Sequence, residues 1–264
     1  MSTITINAVN HLRILLSEEK FLFLGNPADE KLLQLFLHFT DYDIDKALEK
    51  VISYYKLKEK YSDFYAFKRD PKLHDVILKK GINTMLEDRD PLGRRILVYK
   101  LANLVYGAHE VHEMFQVDDL WLTLACDEEE TQRNGLVIVF DLKNFPWKFL
   151  RSFTPYNIRA TTAKAESLPI ENIQYHVINY GWVVGLLVSL VFPFLKEETK
   201  NKIYFHNSME SLHSQVSPSA LPREYGGDRP SPVQAKRVKE YLDPQNTRLS
   251  DLLSYGYMKK PEDF

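Results

Sequence analysis

The sequence predicts an α/β fold with a small all-helical part ahead of it, and three patterns carry that reading. Apolar side chains recur at helical spacing between residues 8 and 80. Residues 136–140 are apolar without interruption, as in a strand covered on both faces. Residues 173–205 run strand, helix, strand, and two strands joined through a helix form a parallel βαβ unit.

Taken in order, Leu32, Leu33, Leu35, Phe36 and Phe39 form one helical stripe, and Ala47, Leu48, Val51, Ile52 and Tyr55 form a second. Between them Asp43 and Asp45 stand where a helix start favours an acid. From Arg89 the pattern changes. Asp90, Pro91, Leu92 and Gly93 make a turn, because proline presets φ and glycine closes the bend, and Arg95–Lys100 then reads as a strand. Beyond residues 136–140, Phe145, Phe149 and Phe153 repeat at helix-like spacing. Ile173, Tyr175 and Val177 alternate with Gln174 and His176 as in a strand, and Ile203, Tyr204 and Phe205 form another. The expected organisation is a helical part over 1–80, a sheet-bearing part over 81–228 and a short charged tail over 229–264.

The stretch 177–195, VINYGWVVGLLVSLVFPFL, stands out. From Trp182 to Phe192 its only non-apolar residues are Gly185 and Ser189, and a helix apolar on every side must be covered by protein or meet lipid. About 19 residues is near the length of a membrane span. Asn179, Gly181 and Pro193 interrupt it, however, and the flanking strands favour a helix of a soluble βαβ unit.

Composition narrows the function. The chain has 264 residues, 44% hydrophobic, 12% aromatic and 27% charged, which is globular. A net charge of −2 offers no general basic face, so nucleic acid is not an expected partner. The start MSTITINAVNHLRILL lacks the features of a secretory signal, and Cys126 stands alone without an internal disulfide partner, so a cytoplasmic address is expected.

Five segments in order resemble one family: RDPLGRRILVYK (89–100), ETQRNGLVIVFDL (130–142), LPIENIQYHVIN (168–179), PFLKEETKNKIYFH (193–206) and LPREYGG (221–227). Together they are similar to the CRAL-TRIO lipid-binding domain, and residues 32–55 resemble the helical domain that precedes it. The ETQRNG and FDL motifs look most like the alpha-tocopherol transfer and cellular retinaldehyde-binding branch. The resemblance implies a CRAL-TRIO fold: a mostly parallel sheet flooring an apolar cavity, with helices around it and a helical lid after HVIN. It implies a soluble carrier, without catalysis or cofactor, that binds a tocopherol, retinoid or other isoprenoid-like lipid and exchanges it with membranes while peripherally associated.

The site residues expected on that basis are Phe115, Leu122, Leu136, Ile138, Phe140, Phe145, Phe149, Phe153, Leu168, Ile170, Ile173, Tyr175, Val177, Val183, Leu187 and Leu190 around the ligand. Trp182, Leu186, Val191, Phe194, Lys196, Lys200 and Lys202 are expected at the membrane or a lipid head group. Glu171, Ile173 and Glu198 occupy positions that are basic in phosphoinositide-responsive members, so at most a weak phosphoinositide contact is expected. On the helix 115–123, Asp118 and Leu122 replace the small hydroxyl residues of the tocopherol branch. A buried Asp needs a proton or a hydrogen-bond donor, so Asp118 is expected to be exposed.

Other chemistry fails on spacing. His109 and His112 are three apart rather than the four of a zinc helix, and no metal site is expected. No nucleophile elbow, Walker loop or dinucleotide-binding glycine run occurs. Cys126 follows an apolar helix and reads as a small buried hydrophobe. The alternatives to a carrier of isoprenoid-like lipid are a phosphatidylinositol or phospholipid exchanger, which needs a basic cradle, and a protein-interaction module whose cavity is filled by its own side chains.

Overall fold

In the computed structural model, residues 3–66, 78, 80–105, 111–230 and 247–258 are described. The helical part holds α1 (Thr3–Ser17), a short strand β1 (Leu22–Phe23), α2 (Glu30–Phe39) and α3 (Ile44–Lys60). Asp29 opens α2 by accepting the Leu32 N–H, and Asp43 opens α3 by accepting the Lys46 N–H. Each cap satisfies one of the backbone donors that a helix start leaves unpaired. The apolar stripes of both helices are buried: Leu33, Phe36, Leu37, Ala47 and Val51 share a core with Leu12 and Leu16 of α1.

The sheet-bearing part contains β2 (Asn83–Met85), β3 (Arg95–Lys100), α4 (Val111–Cys126), α5 (Glu129–Asn134), β4 (Leu136–Asp141), α6 (Pro155–Ser167), β5 (Ile173–Ile178), α7 (Val183–Val191), α8 (Glu197–Lys200), β6 (Ile203–Phe205) and α9 (Met209–His213). The strands form one sheet in the order β2-β3-β4-β5-β6. β2 is antiparallel to β3, and the other pairs are parallel. The β2–β3 connection ends in the expected turn, where Gly93 has φ +76, a left-handed value that favours glycine. A side chain there would also strike the Asn134 carboxamide at 2.2 Å.

Alternation gives the sheet two different faces. Val98, Val137, Val139 and Ile178 pack into one apolar cluster with Leu212, Val216 and Leu221. On the other face Leu97, Leu136, Ile138 and Tyr175 join the core that runs on into α1, α2 and α3. The helical part and the sheet are therefore packed as one body of apolar contact on that side.

Within the segment expected to be a charged tail, residues 247–258 are built into the fold. α10 (Thr247–Ser254) buries Leu249, Leu252 and Leu253, and β7 (Gly256–Tyr257) pairs antiparallel with β1. Arg248 bonds both Asp29 and Asp127, and the Tyr255 hydroxyl donates to Asp29 at 2.8 Å. The sequence displays this helix only weakly because its apolar stripe is two turns long.

No helix among the described residues is long and apolar enough to cross a membrane. The stretch 177–195 divides into the end of β5, the helix α7 and a 3-10 turn over Phe192–Phe194 in which Pro193 ends the helix. His109, half of the rejected zinc pair, lies outside the described residues.

Candidate functional site

The register of the sheet builds the floor of a cavity. Asn83, Tyr99, Phe140, Val177 and Phe205 are successive partners across all five strands, and each lines the cavity. Two residues back along the strands, Ile138, Tyr175 and Ile203 form a second lining row. Tyr99 and Phe140 stack with centroids 4.9 Å apart, which sets the width of the floor there.

Helices close the sides. α4 contributes Met114, Phe115, Asp118 and Leu122, and α6 contributes Thr161, Thr162, Lys164 and Ala165, with Leu168 just after it. Phe145, Phe149 and Phe153 make one wall of edge-on rings at 6.3 and 6.4 Å. Their spacing looks helical in the sequence, but the element between them is a 3-10 helix over Trp147–Ser152. The cavity volume is about 310 Å³.

α7 roofs the cavity and is two-sided. Val184, Leu187, Val188 and Val191, spaced by three and four, face inward. Trp182 is 76% exposed and Leu186 40% exposed, and Gly185 and Ser189 are exposed as well. The far end of the roof is held to α6: the Lys196 N–H and the Thr199 hydroxyl both donate to Glu166, at 2.8 and 3.0 Å. The Arg159 guanidinium lies 5.6 Å from the Phe194 ring centroid.

Most of the expected ligand residues come together in this wall: Phe115, Leu122, Ile138, Phe140, Phe145, Phe149, Phe153, Leu168, Tyr175, Val177 and Leu187. Leu136 and Ile173 do not. They are register partners one row nearer the strand starts, on the same face but buried in the core, and Ile170 joins them there. Val183 packs on Leu142 and Val177 beside the cavity, and Leu190 is half-buried outside the lining. On the expected membrane side, Trp182 and Leu186 do face out, whereas Val191 turns inward and Phe194 is half-buried under Arg159. A helix with no polar face cannot show in its sequence which side looks inward.

The cavity also holds polar groups that the sequence reading missed or misplaced. Asp118 is buried, against the expectation of exposure, because it has donors: the Tyr99 hydroxyl bonds its Oδ1 and the Lys164 ammonium lies 3.5 Å from its Oδ2. Burial raises its carboxyl above the ordinary carboxylate range, and Lys164 works in the opposite direction. Lys164 lies between α4 and α6, 3.5 Å from Asp119 as well, and donates to the Phe115 carbonyl at 2.8 Å. Among the described residues, Asp118 and Lys164 are the only charged ones of the wall. The hydroxyls of Thr161 and Thr162 bond carbonyls of their own helix. No spacing rule joins Tyr99, Asp118 and Lys164, so a sequence alone gives no signal for the cluster.

The candidate head-group lysines each have an acidic partner. Lys200 reaches Glu197 at 2.6 Å, Lys202 reaches Glu198 at 2.7 Å and Lys196 lies 3.8 Å from Glu166. Among the described residues no three His, Cys, Asp or Glu groups are placed to hold a metal. Cys126 is buried at the end of α4, and burial pushes its thiol up, disfavouring the thiolate.

This arrangement coincides with a family match, since residues 79–227 fit the model of the CRAL/TRIO domain. The chain belongs to the CRAL/TRIO family. Clavesin-1 of Xenopus laevis is 28% identical over 219 residues, covering 82% of this chain and 66% of its own length. Clavesin-2 of Homo sapiens is 31% identical over 219 residues, covering 81% and 67%. The chain thus spans about two thirds of the length of these relatives. The crystal structure of Sfh5 superposes with a TM-score of 0.58 over 88% of each chain at 13% identity, which speaks for the fold alone. The match begins just before β2, so the cavity floor and the roof helix both lie within the CRAL/TRIO region, while α1, α2 and α3 precede it.

Proposed function

We propose that this CRAL/TRIO chain is a carrier: it holds one apolar lipid, such as a tocopherol, retinoid or other isoprenoid, in the cavity and exchanges it with membranes without chemical change. The observation that carries the reading is a cavity of about 310 Å³ walled almost wholly by apolar side chains and roofed by a helix whose outer face is also apolar. An apolar cavity of that size falls within the range of small-molecule sites. In the proposed cycle α7 docks on a membrane through Trp182 and Leu186 and swings aside, keeping the protein cytoplasmic and peripheral. Catalysis forms no part of the proposal.

Phospholipid exchange is the weaker reading, because Lys196, Lys200 and Lys202 already face carboxylates. An interaction module without cargo would need a cavity filled by its own side chains.

The test is organic extraction of the purified protein with mass spectrometry, followed by thermal unfolding with tocopherols, retinoids and phospholipids. A bound ligand at 100 times its Kd adds roughly 2.7 kcal/mol of stability. Filling the floor with Ile138→Trp should remove both the extracted lipid and the thermal shift. Identical melting with and without every lipid overturns the proposal.

A further inference from the structure

Asn83 lines the β2 edge of the cavity floor and is 2% exposed. Its Oδ1 has no hydrogen-bond partner among the described residues. Leaving a buried carboxamide oxygen unpaired costs roughly 1–3 kcal/mol, so natural cores seldom retain one without a partner to come. The neighbour across the sheet is Tyr99, whose hydroxyl proton goes to Asp118 and so does not serve the Asn83 oxygen.

The remaining chemistry of the wall restricts that group. The Lys164 ammonium already contacts Asp118, Asp119 and the Phe115 and Phe64 carbonyls, so it has no donor to offer an anion. An anionic head would also meet the Asp118 carboxyl. A cationic head would have to share that same carboxyl with Lys164. What fits is neutral, and it must donate to the oxygen acceptor on Asn83. A hydroxyl does so without bringing a charge.

The geometry points to a ligand class: an apolar alcohol or phenol that enters with its hydroxyl leading and donates it to Asn83 Oδ1, with its hydrocarbon along Phe140 and Val177 towards the roof. The inference rests on the carrier reading and deepens it. It assigns to Asn83 the choice between an alcohol and its ether, ester or hydrocarbon counterpart, and it places the polar end of the ligand away from α7.

A matched pair tests it: farnesol and farnesyl methyl ether, titrated against the full chain stripped of bound lipid. The expected result is an alcohol preference of about tenfold, the size of one buried hydrogen bond made rather than left open. In Asn83→Leu the ratio should fall to about one, with ether affinity kept. In the wild-type protein the Asn83 side-chain amide resonances should move with the alcohol and stay in place with the ether, a readout that does not depend on the variant folding. Equal affinity for the two probes, or a preference that survives Asn83→Leu, overturns the inference and leaves the carrier intact. If neither probe nor any other lipid binds, the carrier reading fails and takes the inference with it.

Discussion

Replacing Trp182 and Leu186 together by serine isolates membrane docking from cavity packing, because these side chains of the α7 region point outward. Trp182 leaves 76% of its surface in water. For an aromatic side chain of roughly 200 Å², that is about 150 Å² available for burial, or about 4 kcal/mol at 25 cal/mol per Å². Leu186, 40% exposed, adds about 1 kcal/mol. Immersion to half that extent is worth about 2.5 kcal/mol, so the double variant should bind neutral vesicles roughly 60-fold more weakly. Co-sedimentation with phosphatidylcholine vesicles measures this, and lipid transfer between vesicles should slow with it. The unfolding midpoint should barely move, since neither residue is core. Leu187→Ser provides the contrast: it faces the cavity and should lower stability and ligand retention instead. A Trp182→Ser, Leu186→Ser protein that is folded and binds vesicles like the wild type would refute the docking argument.

Acid should weaken the fold through His176, which burial first and His206 second push down to about 3 from an ordinary 6.5. The native state excludes a proton that the unfolded chain accepts, so stability is full above the unfolded value and declines below it by about 1.4 kcal/mol per pH unit. Denaturant unfolding at about pH 5 should therefore show a loss of about 2 kcal/mol relative to about pH 7.5, and His176→Phe should flatten that difference; an unchanged slope counts against the assignment. Lys164→Met leaves Asp118 and Asp119 without their cation and should cost about 3–5 kcal/mol by the same measurement. A loss under about 1 kcal/mol would mean that water replaces the ammonium. Because Lys200 and Lys202 are already paired, adding phosphoinositide to acceptor vesicles should change transfer less than about twofold. A large, salt-sensitive acceleration abolished by Lys200→Ala with Lys202→Ala would contradict this.

The strands β3, β4, β5 and β6 were legible because each is long enough or apolar enough to display its period. β2 was not. Asn83, Thr84 and Met85 show no alternation, and they form a strand because the turn at Gly93 returns the chain to Tyr99, Val98 and Leu97. The apolar side of the cavity was mostly readable for the same reason as the strands, since Ile138, Phe140, Tyr175 and Val177 follow from alternation. The failures at Leu136 and Ile173 come from depth along the strand. Alternation gives the face of the sheet but not how far the cavity extends over it. The polar end was hidden because Asn83, Tyr99, Asp118 and Lys164 belong to four separate elements, and only the folded chain provides the donors that let an aspartate be buried.

The pairing of β1 with β7 joins Leu22 to Tyr257, almost the whole length of the chain. Tyr55 on α3 and Asp29 at the start of α2 are finished by neighbours that come from α10 and the strand after it. During synthesis, the first helices must then wait with part of their apolar surface unsheltered until residues 247–258 leave the ribosome. Closing so long a loop is slow compared with forming helices. The helical part is thus first to be made and last to be completed, and a chain cut before Arg248 should depend on chaperones in a way that the intact chain does not.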